Sequence, residues 1–316
     1  MKKWFLACLV LQGLMVGSAH AVLQSPNSLI GGLTVYDLRD YENLYDSNGA
    51  IVTNRVAQAG DTLQGVFVIT AVSNQPGTAF YAPQVAGNVE LTGIFDEKVL
   101  GVDPAGNFQF VPDNTSGTTA AKPMSGTQFQ STYGSGAMIA VFYNNINAMP
   151  IQTNNNGLNG LTAAQALSLA TTNGGQGTLW ATFGAKGTWG APGGYFWAAN
   201  QQTAGVATFA ASLGFINNAT GIPTNLFAPI TQAPPAGFGG TDGALFTIPN
   251  VFNIQGTTNP SIPGSSNDLS LTPYTVFSTD PARINFIPEP TSALAMGGLF
   301  GLWALGLAAY RRIRKA

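Results

Sequence analysis

The hydrophobic positions between residues 22 and 287 occur in short runs separated by turn-forming residues. The intervening segments contain Ser-Asn-Gly, Asn-Gln-Pro-Gly and Asp-Pro-Ala-Gly, which are typical turn sequences. The runs are rich in Val and Ile, and no long helical pattern lies between them, so they predict antiparallel β-strands arranged as a β-sandwich. In the first part of the chain the predicted strands are Leu33 to Tyr36, Leu63 to Thr70, Val89 to Phe95 and Phe108 to Val111.

Residues 113 to 160 are rich in Thr, Ser, Gly and Asn, which predicts a loop-rich sector and a candidate internal boundary near residues 113–125. Met138 to Tyr143 interrupts this sector and predicts a central strand. Thr162 to Ala170 predicts the one short helix, with a Thr as N-cap and Asn173-Gly174 to end it. Later strands are predicted at Thr178 to Phe183, Tyr195 to Ala198, Val206 to Ala210 and Leu245 to Ile248, and a loop is predicted from Gly256 to Tyr274.

Two longer apolar runs lie at the ends of the chain. The first, residues 4–17, follows Met-Lys-Lys and precedes Ala19 and Ala21, the small residues that a signal peptidase reads. It predicts a signal peptide over residues 1–21, cleaved after Ala21, with the Sec translocase and signal peptidase as partners. The second, residues 291–310, is twenty residues without a charge, and as a helix it would span about 30 Å, the thickness of the hydrocarbon core.

The second apolar run is flanked by two short motifs. Pro288, Glu289 and Pro290 precede it, and a basic tail over residues 311–316 follows, with Arg311, Arg312, Arg314 and Lys315. Such a basic cluster favours the cytoplasmic side, so an exported chain would cross the membrane once. The prolines keep the tripeptide extended and accessible just outside the bilayer.

This order of tripeptide, apolar run and basic tail resembles the PEP-CTERM sorting signal of Gram-negative bacteria. The resemblance covers residues 288–316 and departs from the usual pattern only at Ile287, where Val is common. It implies recognition of Pro288, Glu289 and Pro290 by exosortase at the inner membrane, a transient membrane anchor, and a final location at the cell surface or in the extracellular polysaccharide matrix. The region between the two signals is not matched to a named family.

Charge and composition exclude several functions for the region between the signals. Residues 22–287 carry six basic and thirteen acidic side chains, a balance of −7, without the clustered basic face that a nucleic-acid partner requires. The only cysteine is Cys8 and the only histidine is His20, so both precede the predicted cleavage site. The exported region therefore has no residues for thiolate nucleophiles, disulfides, Ser-His-Asp triads or Cys/His zinc sites.

Carboxylates supply two candidate chemistries. Asp37, Asp40, Glu42 and Asp46 lie within ten residues, and the last begins an Asp-Ser-Asn-Gly turn. Oxygen ligands near a glycine turn suit Ca²⁺, although the same pattern is also a routine turn or solvated face.

The second group is Asp96, Glu97 and Asp103. Paired carboxylates are what glycoside hydrolysis uses, although adjacent residues of a strand point to opposite faces. An enzymatic role would require the carboxyl groups of any two of five acids to converge in a cleft: Asp37, Asp40, Asp96, Glu97 and Asp103.

Four aromatic residues, Trp180, Trp189, Tyr195 and Trp197, lie in a sector with little charge. They could form a flat platform for sugar rings, or they could pack in the core of the sheet. The sequence favours a structural or adhesive protein of the cell surface, biofilm or floc, with extracellular polysaccharide as a candidate partner. The alternative is a surface protein that binds or hydrolyses glycans with carboxylates and calcium; no catalytic constellation is recognised.

Overall fold

The computed structural model of the 316-residue chain describes most of the region between the predicted signals. The described residues are 34–53, 55–74, 79–81, 89–102, 107–145, 158–172, 177–184, 196–203, 206–217, 230–232, 246–248, 251–260 and 269–284. The predicted signal peptide and residues 288–316 lie outside them. Within the described residues, no helix is both long and apolar enough to cross a bilayer.

Most described residues lie in antiparallel β-strands. In chain order these are β1 (Thr34–Tyr45), β2 (Thr62–Asn74), β3 (Ala79–Tyr81), β4 (Val89–Val102), β5 (Asn107–Pro112), β6 (Ala137–Asn145), β7 (Thr178–Gly184), β8 (Phe196–Thr203), β9 (Val206–Asn217), β10 (Ile230–Gln232), β11 (Phe246–Ile248), β12 (Val251–Pro260) and β13 (Val276–Ile284). The mainly β, antiparallel prediction is confirmed.

The strands other than β10 and β11 form one eleven-stranded sheet that closes on itself. Its order is β3-β2-β1-β13-β12-β9-β7-β6-β4-β5-β8, and a further pairing of β2 with β4 closes eight of these strands into a ring. The strands β5 and β8 make a second connection between β4 and β9. The predicted sandwich would have two separate sheets, whereas these pairings join the strands into one.

The closed sheet has an apolar cluster on each face because its strands alternate side chains between the faces. The inner cluster joins Tyr36 of β1 with Trp180 and Phe183 of β7, strands from opposite sides of the ring. The outer cluster joins Val66 and Val68 of β2 with side chains of two helices that cover the sheet. Burial on both faces explains why these strands read as nearly continuous apolar runs.

The structure has two helices among the described residues, α1 (Gly126–Tyr133) and α2 (Ala163–Thr172), so the prediction of a single helix is wrong. For α2 the predicted N-cap is confirmed: the Gln165 backbone N–H donates to Thr162 Oγ1 at 3.2 Å, and the Thr162 N–H donates to Gln165 Oε1 at 2.8 Å. This reciprocal pair is a capping box. The predicted stop at Asn173-Gly174 lies outside the described residues.

The predicted strands are present, but several are longer than their apolar runs. The predicted run covered only the first three residues of β1, which extends to Tyr45 through a segment rich in charged and polar residues. The predicted loop from Gly256 to Tyr274 is wrong at its start, because β12 continues to Pro260. Four strands were not predicted. The strands β3 and β10 are short, and β12 and β13 contain residues that are uncommon in strands, such as Asn, Asp and Pro.

Candidate functional site

The acidic residues singled out in the sequence lie on two strands, β1 and β4, that both pair with β2. Asp40 is paired with Phe67 of β2, and Glu42 with Gly65. Glu97 of β4 is paired with Leu63. Directly paired residues share a face, and Phe67 and Leu63 belong to the inner cluster, so these three carboxyl groups point into the closed sheet.

The inner carboxyl groups are almost completely removed from solvent. Glu97 is fully buried, Glu42 is 4% exposed and Asp40 is 7% exposed. Among the described residues, neither carboxylate oxygen of Glu97 has a hydrogen-bond partner. Burial of this kind disfavours the charged form of an acid.

The pKa values follow from this burial. Desolvation raises the pKa of Glu97 well above its usual range, and the charges of Glu42, Asp96 and Asp40 raise it further. Desolvation and then the charge of Asp40 likewise raise the pKa of Glu42. The inner cluster therefore holds protons into a pH range where exposed carboxyl groups are ionised.

Asp96 lies on the outer face of β4 and belongs to a buried charged network. Lys122 is 3% exposed, and its Nζ lies 2.7 Å from Asp113 Oδ2 and 3.9 Å from Asp96 Oδ1. Asp113 also accepts two hydrogen bonds from Thr115, from the backbone N–H to Oδ1 at 2.9 Å and from Oγ1 to Oδ2 at 2.8 Å. One lysine is thus enclosed between two carboxyl groups with almost no contact with water.

Lys122 and Asp113 lie in the segment of residues 113–125 between β5 and α1, which we call the strap. Hydrogen bonds join the strap to β1, to β2 and to the turn that follows β1. Tyr45 donates through its hydroxyl to the Ala121 carbonyl at 2.8 Å, and Gln64 donates through Nε2 to the Met124 carbonyl at 2.8 Å. Thr119 donates through Oγ1 to the Gly49 carbonyl at 2.9 Å. The residues that composition offered as a boundary therefore lie against β1 and β2.

The candidate calcium ligands are not brought together. Asp37 is exposed, whereas Asp40 and Glu42 point into the sheet. Asp46 Oδ1 accepts the backbone N–H groups of Asn48 and Ala50, each at 2.9 Å, and these bonds lower its pKa. Asp46 therefore has the turn role that its sequence also allowed. Across the part of the chain that the structure describes, no three acidic, His or Cys residues form a group able to hold a metal ion.

The candidate glycosidase pair is divided by the sheet. Asp96 and Glu97 are neighbours on one strand, so their carboxyl groups lie on opposite faces, as the sequence predicted for adjacent strand residues. Two carboxyl groups that flank one scissile bond must face a common space. Glu97 does share a face with Asp40, but both are enclosed by the closed sheet. Asp103 lies outside the described residues.

Two of the four candidate platform aromatics lie in described strands. Trp180 is 1% exposed and belongs to the inner cluster, so it packs in the core. Trp197 is a residue of β8, paired with Phe110 of β5. Trp189 and Tyr195 lie outside the described residues, as do Ala19, Ala21, Pro288, Glu289, Pro290 and the basic tail.

The sequence did not single out Lys122 and Asp113 as functional residues. Two signals in the sequence point to them. They are among the few charged residues in this part of the chain, and Asp113 begins an Asp-x-Thr pattern in which the third residue can donate a hydrogen bond to the carboxylate. Their proximity to Asp96 depends on how the strap crosses the sheet. No local pattern encodes that path.

The fold and site define a closed antiparallel β domain with ionisable groups buried on both faces of its sheet. Comparison of the chain with protein-family models, curated proteins and solved structures finds no match.

Proposed function

We propose that this chain is an exported protein, processed by exosortase, with a structural or adhesive role at the cell surface or in the extracellular polysaccharide matrix. The observation that carries the proposal is the order of Pro288-Glu289-Pro290, an uncharged apolar run and a basic tail. The apolar run then acts as a transient membrane anchor, and the N-terminal residues 1–21 act as a signal peptide.

The described domain is suited to such a location in two respects. Its charges are few, and several of them are buried within the sheet and the strap instead of lining an open cleft. Export also agrees with the absence of Cys and His from residues 22–287, since the domain needs neither a reducing environment nor a Cys- or His-bound metal to fold.

Replacement of Pro288, Glu289 and Pro290 together by Ala tests the proposal in a host that carries an exosortase. We expect the variant to keep its apolar run and accumulate at full length in the inner-membrane fraction, while the natural chain is shortened and recovered outside that membrane. Fractionation followed by immunoblotting measures size and location together.

The control replaces Pro260 and Pro263, which lie upstream of the tripeptide, by Ala. This variant loses prolines but keeps the tripeptide, so its processing should match that of the natural chain. If the tripeptide variant is shortened and released to the same extent as the natural chain, the exosortase proposal is wrong.

A further inference from the structure

The enclosed lysine of the strap meets the requirements for a covalent bond with its neighbour. We propose that Lys122 Nζ and Asp113 Cγ form an intramolecular amide bond, with Asp96 as the acid that carries protons during its formation. This inference concerns a covalent modification of the chain and does not depend on the proposed function.

The reacting groups are already in contact. Nζ of Lys122 donates to Asp113 Oδ2 at 2.7 Å and to Thr115 Oγ1 at 3.2 Å. A nitrogen at that distance from a carboxyl oxygen lies about 3.5 Å from the carboxyl carbon, which is within the separation that nucleophilic attack requires of the two reacting atoms. The two bonds from Thr115 hold the carboxyl group in place and polarise it toward attack.

The backbone around Asp113 enforces this approach. Gly126, the first residue of α1, packs directly on Asp113, and a Cβ at that position would collide with the carboxyl carbon Cγ. The Lys122 backbone N–H donates to Thr119 Oγ1 at 2.9 Å, which fixes the backbone of the lysine within the strap. The pair is therefore positioned by the chain on both sides.

The surroundings keep water away from the reacting groups. Asp113 is 1% exposed and Asp96 is fully buried, so little water competes with the amine or stabilises the ions. Burial raises the pKa of Asp96 well above its usual range; the Lys122 charge opposes this effect and the Asp113 charge adds to it. Asp96 therefore holds its proton to a higher pH than an exposed aspartate does, and it lies close to the reacting atoms.

The proposed step is a condensation in which atoms and charges balance. One proton passes from Lys122 Nζ to the Asp113 carboxylate, which leaves a neutral amine and a neutral acid. The amine nitrogen attacks Asp113 Cγ, and the carbon–oxygen bond to the hydroxyl breaks. Asp96 gives its proton to the departing hydroxyl and takes one from the nitrogen, so the products are an amide, one water molecule and Asp96 in its starting state.

Intact-mass spectrometry of the folded, then denatured, full chain tests the proposal. We expect a mass about 18 Da below that calculated for the linear chain with free side chains, corresponding to one lost water. Signal removal changes the mass by whole residues and is distinguished from this loss. Fragmentation of a peptide that contains the strap should give no ions from cleavage between residues 113 and 122, because those residues form a covalent ring.

Variants assign the water loss to the three residues. Lys122→Met and Asp113→Ala should restore the full mass, and Asp96→Asn should restore it while leaving both bonded residues present. Lys98→Met removes a half-buried lysine of β4 outside the network and should keep the water loss. The natural chain decides the question even if a variant fails to fold. Full mass after prolonged incubation of the folded natural chain, or a water loss that persists in Lys122→Met, would overturn the proposal.

Discussion

Glu97 shows how an acidic side chain can be part of a core at the scale of a single residue. The sequence offered Glu97 only as one member of a candidate group of glycosidase carboxylates. In the structure it is fully buried between Phe95 and Val99 on the inner face of β4. The charges of Glu42 and Asp40 are near enough to raise its pKa. An unpartnered buried carboxyl group is costly when ionised and much less costly when protonated.

The pH dependence of stability should reveal this group. Because the pKa of Glu97 is raised in the folded state, the folded form binds the proton more tightly than the unfolded form does. The free energy of unfolding should therefore fall as the pH rises above about 4.3, the ordinary value for Glu. In Glu97→Gln this fall should be smaller, and the variant should exceed the natural protein in stability above neutral pH.

Urea denaturation followed by tryptophan fluorescence, from about pH 3 to about pH 9, measures both curves. The acidic end of the range is the internal control, since Glu97 is protonated in both states there and its ionisation contributes nothing. Parallel curves for the two proteins across the range would mean that Glu97 has an ordinary pKa in the folded state.

At the scale of elements, α1 was missed because its sequence is polar and only eight residues long. Its start is nevertheless encoded: Ser125 Oγ accepts the backbone N–H of Gln128 at 3.1 Å, an N-cap bond. Its end is encoded by Gly134, which has φ of 110°. Phe129 and Tyr133 are the two aromatic residues that face the sheet, and they pack edge to face with centroids 4.8 Å apart.

The cap should contribute measurably to stability. Ser125→Ala removes the acceptor for the Gln128 N–H at a position that is 5% exposed, so we expect a loss of about 1 kcal/mol. Thermal or urea denaturation gives this difference. Ser131→Ala is the matched control, because Ser131 lies on the exposed side of the same helix and its loss should change stability by less than about 0.5 kcal/mol. Equal effects of the two substitutions would rule out the capping role.

At the scale of the whole molecule, the ring closes where β2 pairs with β4, and two glycines make the closure tight. Gly93 is paired with Phe67, and Gly65 with Phe95, so each aromatic ring lies over a glycine on the neighbouring strand. A Cβ at Gly93 would collide with the Phe67 ring and lie 2.7 Å from the Ala140 carbonyl oxygen. Strand glycines of this kind mark a close approach of neighbouring groups.

Alanine substitutions at two glycines of β4 distinguish the close contact between β2 and β4 from the general preference of strands for residues other than glycine. Gly93→Ala should lower the free energy of unfolding by about 1–3 kcal/mol, the usual cost of overpacking a filled core. Gly101→Ala lies on the same strand, where an added Cβ meets no atom of the described residues within 4 Å, and it should be neutral or slightly stabilising. Chemical denaturation of both variants checks the comparison, and a Gly93→Ala protein as stable as Gly101→Ala would show that the closure tolerates a side chain there.

The sequence by itself determined the strand-rich character of the domain, the approximate positions of most strands, the capped helix α2 and the motifs at both ends of the chain. These features are local, because apolar runs, turn residues and caps act over a few neighbouring positions. Only the tertiary structure decided that β2 meets β4, that Asp40, Glu42 and Glu97 share an enclosed space, and that Lys122 lies between Asp113 and Asp96. Those contacts join residues whose proximity depends on strand register and on the path of the strap, and neither is recorded in any short stretch of sequence.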